Sequence, residues 1–177
     1  MLKRILDIIL SFFGIIIFSP VFIVIAIIIK ITSNGSIFFV QKRIGQDAKI
    51  FKMFKFRTMC NNSEFNTISV LGDERITPVG AILRKYKLDE LPELINVLLG
   101  DMSFVGPRPD VPGYADLLTG ENRNILKLKP GITGPASIKY SNEEDILSKK
   151  ENPIEYNNNV IYPDKVRLNL EYYYNNS

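Results

Sequence analysis

No histidine occurs anywhere in the 177 residues. That absence removes His-based triads, imidazole acid–base catalysis and His-ligated metal sites, and leaves carboxylates, Lys, Arg, Tyr and hydroxyls to carry any chemistry. Cysteine is almost as scarce. Cys60 is the only one, so no disulfide can form within the chain, as suits a folded part in a reducing cytosol. Neither sign of charge dominates: 22 Lys and Arg against 19 Asp and Glu give a net +3. A balance so close to even argues against bulk nucleic-acid binding. The length suits one soluble domain beside a membrane segment, and no internal repeat is seen.

What the sequence has in abundance is apolar length near its N-terminus. From Ile8 to Ile29 no charged residue occurs, and at about 1.5 Å per residue such a helix is roughly long enough to cross a hydrocarbon core of about 30 Å. Pro20 falls near the middle of this run. It has no N–H for the carbonyl of Ile16, and its ring crowds the preceding turn, so a kink or break is expected at Ser19-Pro20. The Ser19 hydroxyl can return a hydrogen bond to the freed backbone. Lys3 and Arg4 precede the run, and Lys30, Lys42 and Arg43 follow it. With basic residues at both ends, a re-entrant helix that leaves by the face it entered satisfies the positive-inside bias better than a simple span. A cleaved signal peptide is the remaining alternative. It would have a shorter apolar core, and no small-x-small site precedes Lys30. The expected division is a membrane helix over 1–33 and a cytosolic domain over 34–177.

Past the membrane run, Ile37-Phe38-Phe39-Val40 and the stretch from Ile50 to Thr58 are rich in β-formers and flank Gly45-Gln46-Asp47. This pattern predicts a hairpin. Alternation puts Phe54 and Phe56 on one face and Lys55 and Arg57 on the other. Those two cations make either an exposed basic edge or a contact for phosphates and anionic headgroups. Cys60 to Asp73 reads as a mobile polar loop. Thr77-Pro78 looks like an N-cap and first helical position, opening a helix through Ile82, Leu83 and Tyr86. A second helix follows Leu88, with Asp89 as N-cap, Leu91, Leu94, Ile95 and Leu98 as its apolar stripe, and Gly100 as its stop. Val105-Gly106-Pro107-Arg108-Pro109 forms a stiff extended turn and Lys129-Pro130-Gly131 another. Pro163 opens a last helix that ends in Tyr172-Tyr173-Tyr174, which suits either a lipid–water boundary or the core.

Asp89 and Glu90 stand where the second helix begins, where unpaired N–H groups and the positive dipole end favour their ionised forms. An ionised Asp89 is able to attack phosphorus. A plain cap followed by a first-turn Glu explains the same pair without any chemistry. Arg84 lies five residues earlier and Arg108 beyond the helix, both suited to bidentate phosphate binding. Adjacent carboxylates without histidine are also hard-oxygen ligands of the kind Mg²⁺ takes.

The stretch Leu88-Asp89-Glu90-Leu91-Pro92-Glu93-Leu94-Ile95-Asn96-Val97, followed by Gly100-Asp101-Met102-Ser103-Phe104-Val105-Gly106-Pro107-Arg108-Pro109, resembles the bacterial sugar transferase family, the small monotopic phosphoglycosyl transferases. The resemblance extends to Gln41-Lys42-Arg43-Ile44-Gly45, Lys55-Phe56-Arg57-Thr58-Met59, Arg75-Ile76-Thr77-Pro78-Val79-Gly80 and Lys129-Pro130-Gly131-Ile132-Thr133-Gly134. The order is the family's, from residue 1 to about 140, and that order outweighs the plain-cap explanation of Asp89 and Glu90.

The resemblance implies a reaction between a UDP-sugar and a polyprenyl (undecaprenyl) phosphate, giving polyprenyl-diphosphate-sugar and UMP at the cytoplasmic face of the bacterial inner membrane. It implies Asp89 as nucleophile forming a covalent phosphosugar intermediate, Glu90 as its dyad partner, and Mg²⁺ at the two. It also implies phosphate binding by Arg108 between Pro107 and Pro109, and a helix arginine, Arg84, that orders the dyad or a phosphate. Lys55 and Arg57 join the candidate substrate-binding residues. The family's re-entrant helix is broken at Ser-Pro, where this chain has Ser19-Pro20. The expected fold is α+β, helix-rich with a small β-hairpin, membrane-associated through that helix. After Gly134 many relatives continue Trp-Ala-Gln, whereas this chain has Pro135-Ala136-Ser137. The expected partners are the two substrates and membrane lipid, with no nucleic acid, and a homodimer is compatible with the sequence. Two other classes compete: a non-catalytic membrane anchor, and a nucleic-acid module built on the basic and aromatic residues from Phe51 to Arg57.

Overall fold

A computed structural model describes residues 2–60 and 73–176. The loop expected over Cys60 to Asp73 lies, except for its two ends, outside the described residues. In chain order the elements are α1 (Leu2–Thr32), β1 (Phe38–Ile44), β2 (Ile50–Phe56), α2 (Pro78–Lys85), α3 (Glu93–Leu99), β3 (Ser103–Val105), β4 (Gly131–Thr133), α4 (Pro135–Lys139), α5 (Glu143–Ser148), α6 (Pro153–Tyr156) and α7 (Tyr162–Asn176), with short 3₁₀ turns between several of them. The fold is helix-rich α+β, with a long apolar N-terminal helix suited to membrane association. The described chain falls into two compact units. One holds residues 2–42, 52–60 and 74–102, the other 43–51, 73 and 103–176.

In the first unit α1 runs from Leu2 to Thr32 as one helix with Pro20 inside it. The break expected at Pro20 does not end the helix. The Ser19 hydroxyl donates to Ile16 O at 2.8 Å, the carbonyl that Pro20 leaves without its N–H partner. One stripe of α1 faces inward at helical spacing, with Asp7, Ser11, Ile25 and Ile29 buried and Arg4, Gly14 and Phe22 half-buried. Ile25 and Ile29 share a core with Phe56 and Leu83, against which Phe22, Ile37, Val79, Leu88 and Leu91 pack. At the other end of the helix the Arg4 guanidinium donates to Val97 O (2.6 Å) and Leu98 O (2.9 Å). These are carbonyls of the last turn of α3, which the helix itself leaves without partners. Both ends of α1 therefore touch the same unit. Most of its remaining surface is exposed isoleucine, leucine, valine and phenylalanine.

The hairpin forms where the β-formers predict it, turning through Gln46–Ala48, with Asp47 and Ala48 at positive φ. Bonds from Arg57 N to Ile37 O and from Gly45 N to Lys49 O hold its two ends in one register. Thr77 caps α2 as expected, its Oγ1 accepting from Gly80 N at 2.9 Å, and Pro78 stands at the first helical position. Thr77 N also donates to Thr58 O (2.9 Å), which draws α2 against the end of the β2 segment. A Cβ at Gly80 would lie 2.1 Å from Thr58 O. Only hydrogen fits there.

In the second unit β3 and β4 pair in parallel, Ser103 beside Gly131 and Val105 beside Thr133. Their closeness depends on glycine. A Cβ on Gly106 would stand 2.2 Å from Lys129 O, one on Gly131 2.2 Å from Gly106 N, and one on Gly134 2.3 Å from Gly106 O. Ile44, Ala115, Ile125, Leu126 and Val166 form the core here. The last helix does not open at Pro163. Helical backbone begins at Pro153 and passes through a π turn over Asn157–Ile161 before α7. A wider turn of this kind takes in a proline that cannot donate to the preceding turn.

Gly80→Ala tests the α2 contact. The methyl is forced onto a backbone oxygen, and strain of this kind costs about 1–3 kcal/mol. Thermal or chemical unfolding of the detergent-solubilised protein should show the loss as a lowered midpoint.

Candidate active site

Asp89 and Glu90 lie in a single 3₁₀ turn, Leu88–Glu90, between α2 and α3. Lys87, at φ 55 and ψ 22, reverses the chain into this turn. Leu88 and Leu91, on either side of the pair, pack onto the core beneath α1. Two anchored leucines thus fix the backbone that carries the carboxylates. The predicted N-cap role of Asp89 is not what forms. Pro92 stands at the start of α3, and no side chain caps the 3₁₀ turn. The Asp89 side chain is buried instead, at 7 % exposure.

That position reverses the expected electrostatics. Burial pushes the Asp89 carboxyl above its ordinary range because desolvation penalises the charged form. Lys55 opposes this most strongly, Glu90 adds to it, and the charges of Arg84 and Lys87 pull the other way more weakly. Asp89 Oδ1 is buried without a hydrogen-bond partner among the described residues. A carboxylate oxygen of this kind, poorly solvated and uncommitted, is open to bond phosphorus or a hard cation.

Lys55 is the central cation. Its Nζ lies 2.8 Å from Glu90 Oε1 and 3.3 Å from Glu93 Oε1, and the Glu93 side chain is almost wholly buried. The strand that carries Lys55 is held on its open edge by Asn96, which is fully buried on α3. Asn96 Nδ2 donates to Lys52 O (2.7 Å) and Phe54 N donates to Asn96 Oδ1 (3.0 Å). The amide thereby stands in for a further strand, and the residue after Phe54 is delivered to the carboxylates of the turn and of α3.

Arg57, the other cation of this segment singled out in the sequence, is engaged with the backbone near the end of α1. It is buried, and its guanidinium donates to Ser33 O (2.9 Å), Asn34 O (2.9 Å) and Ser33 Oγ (2.7 Å). It clamps the turn between α1 and β1. An exposed basic edge on β2 is accordingly not found, since Lys55 and Arg57 are both engaged within the unit. Arg84 joins the site through its charge on Asp89. Glu93 and Asn96 escaped the sequence reading, although the spacing of Glu90 and Glu93, three apart, was a signal that the two share a helical face.

Pro107 and Arg108 belong to the second unit. Gly131 N donates to Pro107 O (2.8 Å), Ile44 N to Asp110 O (2.8 Å) and an Arg43 guanidinium N–H to Pro109 O (3.0 Å), so backbone bonds flank Arg108 on both sides. Arg108 lines a small cavity with Pro107, Asp110 and Asn169. Beside it, desolvation pushes the Asp110 carboxyl up to about 6, against the lowering effect of the Lys165 and Arg43 charges.

Comparison with known proteins gives this arrangement a context. A UDP-N-acetylgalactosamine-undecaprenyl-phosphate N-acetylgalactosaminephosphotransferase of Aeromonas hydrophila is 39 % identical over 151 residues, covering 81 % of this chain and 35 % of the relative. A UDP-glucose:undecaprenyl-phosphate glucose-1-phosphate transferase of Klebsiella pneumoniae is 44 % identical over 161 residues, covering 87 % of this chain and 34 % of the relative. The exopolysaccharide production protein ExoY of Sinorhizobium fredii is 37 % identical over 158 residues, 80 % of this chain and 70 % of that protein. The chain thus spans about a third of the length of the first two relatives. The model of one family, described as bacterial sugar transferase, matches residues 1–177. The chain belongs to the bacterial sugar transferase family.

Proposed function

We propose that this chain transfers a sugar 1-phosphate from a UDP-sugar to a polyprenyl phosphate such as undecaprenyl phosphate, releasing UMP, with Asp89 as the nucleophile. The observation that carries the reading is the buried Asp89 oxygen without a hydrogen-bond partner, beside the Lys55–Glu90–Glu93 group. The relatives named for transfer from UDP-glucose and UDP-N-acetylgalactosamine supply the substrate classes. Two relatives named for different sugars match at similar identity, so the sugar itself is left open. The product is the lipid-linked first unit of a glycan, in keeping with relatives named for exopolysaccharide production.

The reaction runs as two displacements. Asp89 Oδ attacks the β-phosphorus of the donor, the bond from that phosphorus to the bridging oxygen breaks, and UMP leaves with the electron pair. An oxygen of the polyprenyl phosphate then attacks the same phosphorus and frees the Asp89 carboxylate. Lys55 has two effects here: it favours the ionised nucleophile and holds Glu90 beside it. Arg84 and Arg108 are the phosphate-binding cations of this reading, whereas Arg57 supports the fold. The donor set also fits Mg²⁺, because Asp89 has an open hard oxygen next to Glu90. The ion would be held by these two carboxylates, with substrate phosphates and water completing its shell, and it would neutralise diphosphate charge.

Placement on the cytoplasmic face of the inner membrane, with α1 re-entrant, follows from the same reading. Arg4 at one end of α1 and Ile25 and Ile29 at the other are tied to one folded unit. A helix that crossed the bilayer would separate its ends by a hydrocarbon core of about 30 Å. An apolar helix tethered at both ends is better served by entering and leaving through one face.

Four measurements test this proposal. With UDP-sugar, undecaprenyl phosphate and Mg²⁺, Asp89→Asn should lower UMP release by a factor on the order of 10³ or more. Mass spectrometry of the wild-type enzyme given donor alone should find a phosphosugar adduct on the peptide holding Asp89, and an adduct mapped to another residue would remove Asp89 from its role. Lys55→Met takes away the strongest influence lowering the Asp89 pKa. Since activity needs ionised Asp89 and so rises with pH through that pKa, the acid limb of the kcat profile should move to higher pH. For topology, single cysteines at Lys3 and Lys42 in a Cys60→Ser background should react with an impermeant maleimide in inside-out vesicles and stay protected in intact spheroplasts. Labelling of the Lys3 site from outside would exclude re-entrance.

A further inference from the structure

Beyond α1, the first unit shows apolar surface at Phe38, Phe39 and Val40 of β1, which are 39 %, 47 % and 45 % exposed. Successive side chains of a strand point to opposite faces, so β1 presents apolar side chains on both of its faces at this level. A protein docked on one face would leave the other in water. An apolar fluid wets both.

The patch is joined to α1 through the buried ring of Phe56. Phe38 stacks on Phe56 at 5.5 Å between ring centroids, and Phe56 meets Phe22 of α1 edge-on at 5.3 Å. Phe22 lies eight residues before Lys30, about 12 Å back along the helix into its apolar run. Its neighbours Ile23 and Val24 are exposed. If they face acyl chains, the end of this aromatic ladder lies beside the same lipid.

The open edge of β1 fits such surroundings. Arg57 N donates to Ile37 O across the ladder, so the carbonyl of the next residue, Phe38, points away from β2. That carbonyl accepts from Ser36 Oγ at 2.7 Å. Where water is scarce, an outward carbonyl needs a partner from its own chain. Exposed Lys30 and Lys42 bracket the patch in sequence, with stems long enough to keep their ammonium groups at the headgroups.

We infer that Phe38, Phe39 and Val40 form a second membrane contact, in which the β1 side of the hairpin enters the boundary between lipid headgroups and acyl chains next to α1. The register set by the Ile37–Arg57 and Gly45–Lys49 bonds puts Phe39 directly across from Lys55. The lipid boundary then comes within one side chain of the cation that pairs with Glu90. On the proposed function, which this consequence alone requires, a lipid-borne phosphate reaches the site without leaving its headgroup layer.

The chain has no tryptophan, so a single introduced one reports without background. Full-length Phe39→Trp and Val40→Trp proteins are reconstituted in phosphatidylcholine–phosphatidylglycerol vesicles with and without acyl-brominated phosphatidylcholine, alongside Ile17→Trp on the exposed face of α1. Both hairpin tryptophans should be quenched at least about half as strongly as the Ile17→Trp reference. Quenching of Ile17→Trp with neither hairpin tryptophan affected overturns the inference while leaving α1 in the membrane. Blue-shifted hairpin emission that bromine does not quench and that fades on dilution of protein in lipid also overturns it, in favour of a second copy on the patch. An unquenched Ile17→Trp overturns it together with the membrane reading, whereas loss of UMP release with normal quenching touches only the proposed function.

Discussion

Burying carboxylates in a chain without histidine leaves few ways to neutralise them. Asp89 and Glu93 are both withdrawn from water, and a withdrawn carboxylate is tolerable only beside a cation or in its protonated form. Lys55 is the cation nearest to this problem, and its place fixes much else. It comes from β2, which lies along the start of α3. Asn96 secures that approach by closing the open edge of β2 from α3 itself. The hairpin must then return along α1, and the buried Arg57 holds the turn that lets it do so. The last turn of α3 is in turn gripped by Arg4. A chain of polar contacts thus runs from one end of α1 to the turn that carries Asp89 and Glu90.

The same contacts explain the unusual polarity of α1. In a soluble amphipathic helix the apolar stripe faces the protein and the polar face meets water. Here the buried stripe includes Asp7 and Ser11, and the outward surface is nearly all apolar. The inversion makes sense only if the surroundings are more apolar than the protein surface the helix lies on. It also limits what Pro20 does. With Ser19 satisfying the carbonyl of Ile16, the helix can bend without exposing an unpaired backbone group to lipid.

Features governed by neighbours along the chain are legible in the sequence alone. The hairpin, the Thr77 cap, the stop at Gly100 and the Ser19 bond all depend on residues within four positions of one another. The features that escape it share a different cause. Asp89 has the local pattern of an N-cap, yet its place is set by the burial of Leu88 and Leu91 under α1, which no local pattern records. For Arg57 and Lys55 the sequence leaves open an exposed basic face or a phosphate contact, because alternation tells which residues share a face and not what covers it. The parallel pairing of β3 with β4 joins three-residue segments almost thirty positions apart, too short to show a period. Its only trace in the sequence is glycine at 106, 131 and 134, where the two backbones touch.

Those glycines divide the second unit into parts held in two ways. The loop carrying Arg108 is fixed largely by backbone against backbone, with bonds from Gly131 N to Pro107 O and from Ile44 N to Asp110 O, and the Arg43 side chain donates to Pro109 O between them. Any side chain larger than hydrogen at Gly106 or Gly131 would move it. The segment after Gly134 is held by side chains instead. Lys139 and Tyr140 converge on Asp164 of α7, and with Arg167 they hold that carboxyl well below the usual range. Surface contacts of this sort can be exchanged singly at little cost, while a glycine-dependent approach of two backbones cannot. A loop held by glycine-dependent backbone contacts keeps one geometry, and a neighbouring segment held by side chains can vary without disturbing it.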